Sequence, residues 1–121
     1  MTNVLETGFE FMEANNPNGS PKIKGYNIIN GELKLSSGGE TFESLNPALL
    51  SDCLGEFPLS TKEDVHDALS AARNAFPSWS STPAPTRGQI IGNMGRLLMQ
   101  YKDDIVRVET REIGKTLKES G

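Results

Sequence analysis

The sequence has a single cysteine, no long apolar run and no excess of basic residues, and each shortage removes a class of function. With Cys53 alone, neither an internal disulfide nor a zinc site built on several thiolates can form, so a reducing, cytoplasmic setting is expected. No segment approaches the roughly 18 apolar residues that a membrane-spanning helix requires, so no membrane partner is expected. Residues 1–19 carry Glu6, Glu10 and Glu13, no basic residue, and no apolar stretch long enough for an export signal. The Asn18-Gly19-Ser20 sequon then reads as a flexible turn. Lys and Arg number 12 against 16 Asp and Glu, and the net charge of -4 weighs against attraction to a phosphate backbone. Nucleic acid is not an expected partner.

What is present fits an ordinary globular chain. Its 121 residues suffice for one domain or part of one, and 36% hydrophobic residues with 12 glycines come close to globular composition. Residues 1–25 read as a loose leader, because 15–24 (NNPNGSPKIK) concentrates residues that favour turns and offer little to a core. Phe9, Phe11 and Met12 could anchor one helical turn within it.

Residues 26–59 read as β hairpins. Tyr26-Asn27-Ile28-Ile29 and Glu32-Leu33-Lys34-Leu35 flank Asn30-Gly31, a dipeptide that accepts the positive φ angles of a type I′ turn. Ser36-Ser37-Gly38-Gly39 offers a second reversal, 41–45 a partly buried strand ended by Asn46-Pro47, and 53–59 a further extended segment. Residues 60–121 read as helical. Ser60 and Glu63 stand at capping-box spacing, and Val65, Ala68, Leu69, Ala72 and Phe76 form one apolar stripe that Pro77 is expected to stop. After a loop over 80–85, a second helix over 85–101 carries Ile90, Ile91, Met94, Leu97, Leu98 and Tyr101 on one face. Gly92 and Gly95 each cost it about 1 kcal/mol relative to alanine. A third helix over 103–113 has Asp103 and Asp104 at the positive end of its dipole and Gly114 as its stop, and Leu117-Lys118-Glu119 begins a new element. The strands look too short and too polar to cover three such apolar faces.

Groups that could carry chemistry have plainer readings. Gly114-Lys115-Thr116 resembles the end of a phosphate-cradling loop, but Glu109 occupies the place of that motif's first glycine and 108–113 is helical in pattern. His66, between Val65 and Asp67, reads as a solvated surface side chain. Cys53 lacks a nearby base and reads as a strand-edge or half-buried thiol. The tip at 36–39 lacks the G-x-G-x-x-G spacing of a dinucleotide turn, and Glu109 with Glu112 reads as a solvated or ion-paired face. No catalytic, cofactor-binding or metal-ligating residue is therefore assigned.

The order of short signatures is more specific than any one of them. Ile29-Asn30-Gly31-Glu32, Phe42, Asn46-Pro47-Ala48, Leu54-Gly55-Glu56-Phe57-Pro58 and 60–65 (STKEDV) resemble the opening of the aldehyde dehydrogenase superfamily. Ala68, Ala71-Ala72, Ala75-Phe76, Trp79, 82–85 (TPAP) and Arg87 continue the match, as do Glu109-Thr110 and Glu112-Ile113-Gly114-Lys115. The resemblance spans residues 26–121, and 82–88 with 115–121 look most like semialdehyde dehydrogenases, the 2-oxoglutarate semialdehyde type among them. Departures are Leu49-Leu50-Ser51-Asp52 in place of a shorter turn, the glycines at 92 and 95, and Thr116 in place of a common proline.

The resemblance implies an α/β fold: short N-terminal β hairpins followed by three amphipathic helices, the opening part of an aldehyde dehydrogenase cofactor-binding domain, incomplete here. For complete members it implies a cysteine thiolate that attacks the aldehyde, hydride transfer to NAD or NADP, and a glutamate-assisted hydrolysis. Nothing of that machinery maps onto Cys53 or Glu109. The chain is therefore expected to be an N-terminal fragment that binds no cofactor and has no activity alone, with aldehyde substrate and oligomer partners belonging to the complete enzyme. In isolation it is expected to self-associate. The alternative is a stand-alone binding or structural module derived from the family.

Overall fold

The computed structural model describes residues 12–15 and 21–121. Strands β1 (Met12–Asn15) and β2 (Pro21–Lys24) form an antiparallel pair where the sequence reads as a loose leader. Tertiary pairing overrides the turn-rich composition there, because β2 also lies parallel to β6 (Cys53–Pro58) with Ile23 opposite Gly55. Met12 is accordingly extended rather than helical, whereas Phe9, Phe11 and the Asn18-Gly19-Ser20 turn lie outside the described residues.

The hairpin β3 (Asn27–Ile29) and β4 (Glu32–Lys34) turns on Asn30 and Gly31, with φ of 54° and 76°. Both angles are those of the type I′ turn that Asn-Gly favours. β5 (Thr41–Leu45) pairs antiparallel with β6, placing Phe42 opposite Phe57 with ring centroids 5.9 Å apart. The sheet order is β1-β2-β6-β5, with the β3–β4 hairpin separate. β6 is thus an interior strand, and Leu54 at its start is 1% exposed.

Helix α1 (Lys62–Ser81) begins one residue later than the Ser60/Glu63 spacing suggests: Thr61 is the cap and Asp64 its reciprocal partner. Ser60 instead donates to the Asn27 side-chain oxygen at 3.0 Å. Pro77 does not stop the helix, which continues to Ser81. Proline removes one main-chain donor, and in the turns around and beyond it the hydroxyls of Ser78, Ser80 and Ser81 each donate to the carbonyl three residues back. The loop expected over 80–85 shrinks to Thr82 and Pro83, since α2 (Ala84–Gln100) starts with proline in its first turn, where no internal hydrogen bond is lost. Tyr101 links it to α3 (Lys102–Ile113), which ends at Gly114 with a left-handed φ of 74°. A fourth, short helix α4 (Leu117–Ser120) follows. The fold is α/β. Its α3 rests on β5 and β6, and α1 rests on β3.

Candidate functional site

Two polar centres join elements distant in sequence. The first is Asp52, 3% exposed at the entry to β6. Arg111, in the last turn of α3, grips both its carboxylate oxygens: Nε donates to Oδ2 at 3.0 Å and Nη2 to Oδ1 at 2.9 Å. The same guanidinium donates to the carbonyls of Pro21 at 3.0 Å and Cys53 at 3.3 Å, so one side chain ties α3 to β2 and β6. The Asn46 amide donates to Asp52 Oδ2 at 3.1 Å, while its own side-chain oxygen accepts the Ala48 N–H at 3.0 Å. The 46–52 segment is thereby a closed turn. Leu49-Leu50-Ser51-Asp52, a departure from the family pattern, supplies its last residues, with the Asp52 N–H donating to the Leu49 carbonyl at 2.8 Å. A side chain at Gly114 would meet Pro47 and Ala48, so glycine serves both the left-handed stop and this contact.

The second centre is Asp64, 8% exposed in the first turn of α1. Its carboxylate accepts the Thr61 N–H at 2.8 Å, the Ser37 N–H at 2.9 Å and the Thr61 hydroxyl at 3.2 Å. The Ser36 hydroxyl lies 3.0 Å from the same carboxylate and 2.7 Å from the Leu59 carbonyl, between which its one proton is shared. The main-chain donors of Thr61 and then Ser37 lower the Asp64 pKa from 3.8 to about 2, assisted by the Ser36 and Ser37 hydroxyls and opposed by desolvation. The centre pins the 36–39 turn to the start of α1.

Of the groups singled out in the sequence, only Glu109 and Lys115 are brought together. Cys53 is buried, 8% exposed, rather than half-buried at an edge, because β6 is flanked on both sides by strands. Its Sγ lies 3.8 Å from the Gly55 carbonyl oxygen. His66 is exposed on α1. Glu109 pairs with Lys115 at 2.6 Å across the Gly114 stop, while Glu112 is exposed. Lys115 is thus engaged with a carboxylate, and Gly114 ends a helix instead of opening one. Thr116 caps α4 with two donors that a proline lacks: its N–H and hydroxyl donate to the Glu119 carboxylate at 3.1 and 2.8 Å. Those bonds, the main-chain one first, hold the Glu119 carboxyl below its usual range.

Among the described residues no glycine-rich turn opens a helix, the feature on which a dinucleotide is held. Its diphosphate needs a glycine-rich turn that opens a helix with free N–H groups. The 36–39 turn leads into β5, not a helix. The start of α1 is neutralised by Asp64, that of α3 carries Asp103 and Asp104, and α2 opens on Pro83, Ala84 and Pro85. Among the described residues no three His, Cys, Asp or Glu side chains gather as metal ligands. One concavity among the described residues is a shallow groove between the β3–β4 hairpin and α1, lined by Ile29, Asn30, Lys34, Asp67, Ser70 and Asn74 among others. Reading the sequence missed both polar centres. The Thr61-x-x-Asp64 spacing was available to find the second; nothing local marks Asp52 and Arg111 as partners.

Comparison with known proteins agrees with this scaffold. The model of the Aldehyde dehydrogenase family matches residues 34–121. Malonate-semialdehyde dehydrogenase 1 of Geobacillus kaustophilus is 40% identical over 94 residues, covering 78% of this chain and 19% of the relative. Alpha-ketoglutarate semialdehyde dehydrogenase of Haloferax volcanii is 39% identical over 94 residues, covering 78% and 20%. Betaine aldehyde dehydrogenase of Staphylococcus aureus, solved in complex with NAD+, superposes with a TM-score of 0.74 at 34% identity, covering 78% of this chain and 19% of that one. The chain thus spans about a fifth of the length of the curated relatives it matches.

Proposed function

The chain belongs to the aldehyde dehydrogenase family, and from that membership we propose that it forms the opening scaffold of an NAD(P)-dependent enzyme oxidising a semialdehyde to a carboxylic acid. The observation that carries this reading is the family match over 34–121 together with semialdehyde dehydrogenases as relatives. In it the chain's own residues hold structure and perform no chemistry. Cys53 is spent inside the sheet, where an aldehyde cannot reach its thiol, and Glu109 is engaged by Lys115. NAD or NADP, the aldehyde and any oligomer partners are taken by the complete enzyme, in the cytoplasm, where a lone thiol stays reduced. Among the described residues no helix is long and apolar enough to cross a membrane.

Two experiments test this. A chimera in which residues 34–121 replace the matching segment of the Geobacillus relative should oxidise malonate semialdehyde with NAD+. A folded but inactive chimera would sink the scaffold assignment. The purified chain, incubated with NAD+ or NADP+ and a panel of semialdehydes, should produce no reduced nucleotide, and Cys53→Ser should change nothing. Turnover abolished by that substitution would instead make Cys53 a nucleophile.

A further inference from the structure

The β3–β4 hairpin shares no strand pairing with the main sheet. It is a two-stranded unit outside the main sheet, its strands are three residues long, and all of β4 is exposed. Isolated two-stranded hairpins are marginal, and such segments open locally at little free-energy cost. At its tip stands Asn30, exposed and with a φ of 54°, the one described non-glycine residue in the left-handed region. Gly31 follows, also exposed, and the space where its Cβ would point is empty, with no neighbouring atom within 4 Å.

We propose that Asn30 is a site of spontaneous deamidation, converting to aspartate and isoaspartate. On opening of the hairpin, the Gly31 main-chain nitrogen gives its proton to hydroxide and attacks Asn30 Cγ. The bond from Cγ to the side-chain nitrogen breaks, that nitrogen takes a proton from water and leaves as ammonia, and a five-membered succinimide ring is closed. Glycine is the successor that permits this, because no side chain shields its nitrogen or restricts the rotation that brings it to Cγ. Water then opens the ring. Cleavage of the bond between Cγ and nitrogen yields aspartate; cleavage at the former main-chain carbonyl yields isoaspartate, with one extra carbon in the chain. No oxidant or reductant is involved.

Either product changes the groove that Asn30 lines with Lys34 and Asp67. Aspartate adds a negative charge beside Asp67. Isoaspartate lengthens a turn that closes on only two residues, next to the pairing of the buried Ile29 with Glu32.

The test is peptide mapping by mass spectrometry of the full chain incubated at 37 °C across neutral to alkaline pH, folded and in urea. The Asn18-Gly19 step falls in a separate peptide and is scored apart. The folded chain should show a one-mass-unit gain at Asn30, faster at higher pH, with an isoaspartate form resolved by chromatography, at a rate within an order of magnitude of the urea-unfolded chain. Asn30→Gly, which keeps a residue suited to the turn, should abolish the gain. An Asn30 peptide unchanged in the folded chain after complete conversion in urea would overturn the proposal, showing that the turn locks the amide.

Discussion

Among the described residues Asp52 and Asp64 are the buried carboxylates, and they are held in different ways. Asp64 is held by main-chain and hydroxyl donors, so its ionised form is favoured by folding. Because its pKa is depressed in the folded chain, its stabilisation is complete above about 3.8 and lost as the pH falls from there through about 2. Asp64→Asn should flatten this acid limb, which circular dichroism during an acid titration would detect; an unchanged limb would mean that the carboxylate is not held as described. Thr61→Ala removes the hydroxyl of the cap and should cost about 0.5–2 kcal/mol in a urea melt. Asp52 is held by a guanidinium, with side chains 4% and 16% exposed. Arg111→Met, which strands a buried charge, should cost roughly 3–5 kcal/mol, and the double change Asp52→Leu with Arg111→Met should cost less than the single one. Equal costs would assign the Arg111 effect to packing alone.

At the scale of elements, Gly55 decides whether β2 joins the sheet. A side chain there would collide with the Ile23 main chain, so Gly55→Ala should detach β1 and β2 while β5 and β6 stay paired. Hydrogen exchange would show it as lost protection at 21–24 with protection of 41–45 retained. The β3–β4 pair was legible because its local signal, Asn-Gly between two apolar runs, coincides with the final pairing; β5 and β6 were legible as extended segments, but the reversal read at 36–39 does not pair β5 with β4, and β5 pairs with β6 instead. The β1–β2 pair was not legible, since its residues are turn formers and their order comes from β6, some thirty residues away. The end of α1 was misread because proline is an unfavourable interior residue, yet the helix runs past Pro77 to Ser81. Of the polar centres, the cap at Thr61 was legible to within one residue, whereas Asp52 and Arg111 meet only through the fold.

For the molecule as a whole, the balance of buried and exposed apolar surface governs behaviour. Among the described residues the buried apolar side chains are Ile29, Cys53 and Leu54, whereas Val65, Leu69, Phe76, Ile91, Leu98 and Ile113 are all exposed on their helices. Covering each such side chain stabilises by about 1.5–3 kcal/mol, against a net stability of roughly 5–15 kcal/mol for a whole domain. Six uncovered side chains are therefore comparable to an entire domain's margin. A scaffold that completes its core only within a larger fold should show this, and self-association should follow in isolation. The direct measurement is binding of an apolar-patch dye alongside a denaturant melt of the purified chain. The account predicts strong dye binding, a broad transition and association that grows with concentration; a dye-silent monomer with one sharp cooperative transition would contradict it and identify a self-sufficient module.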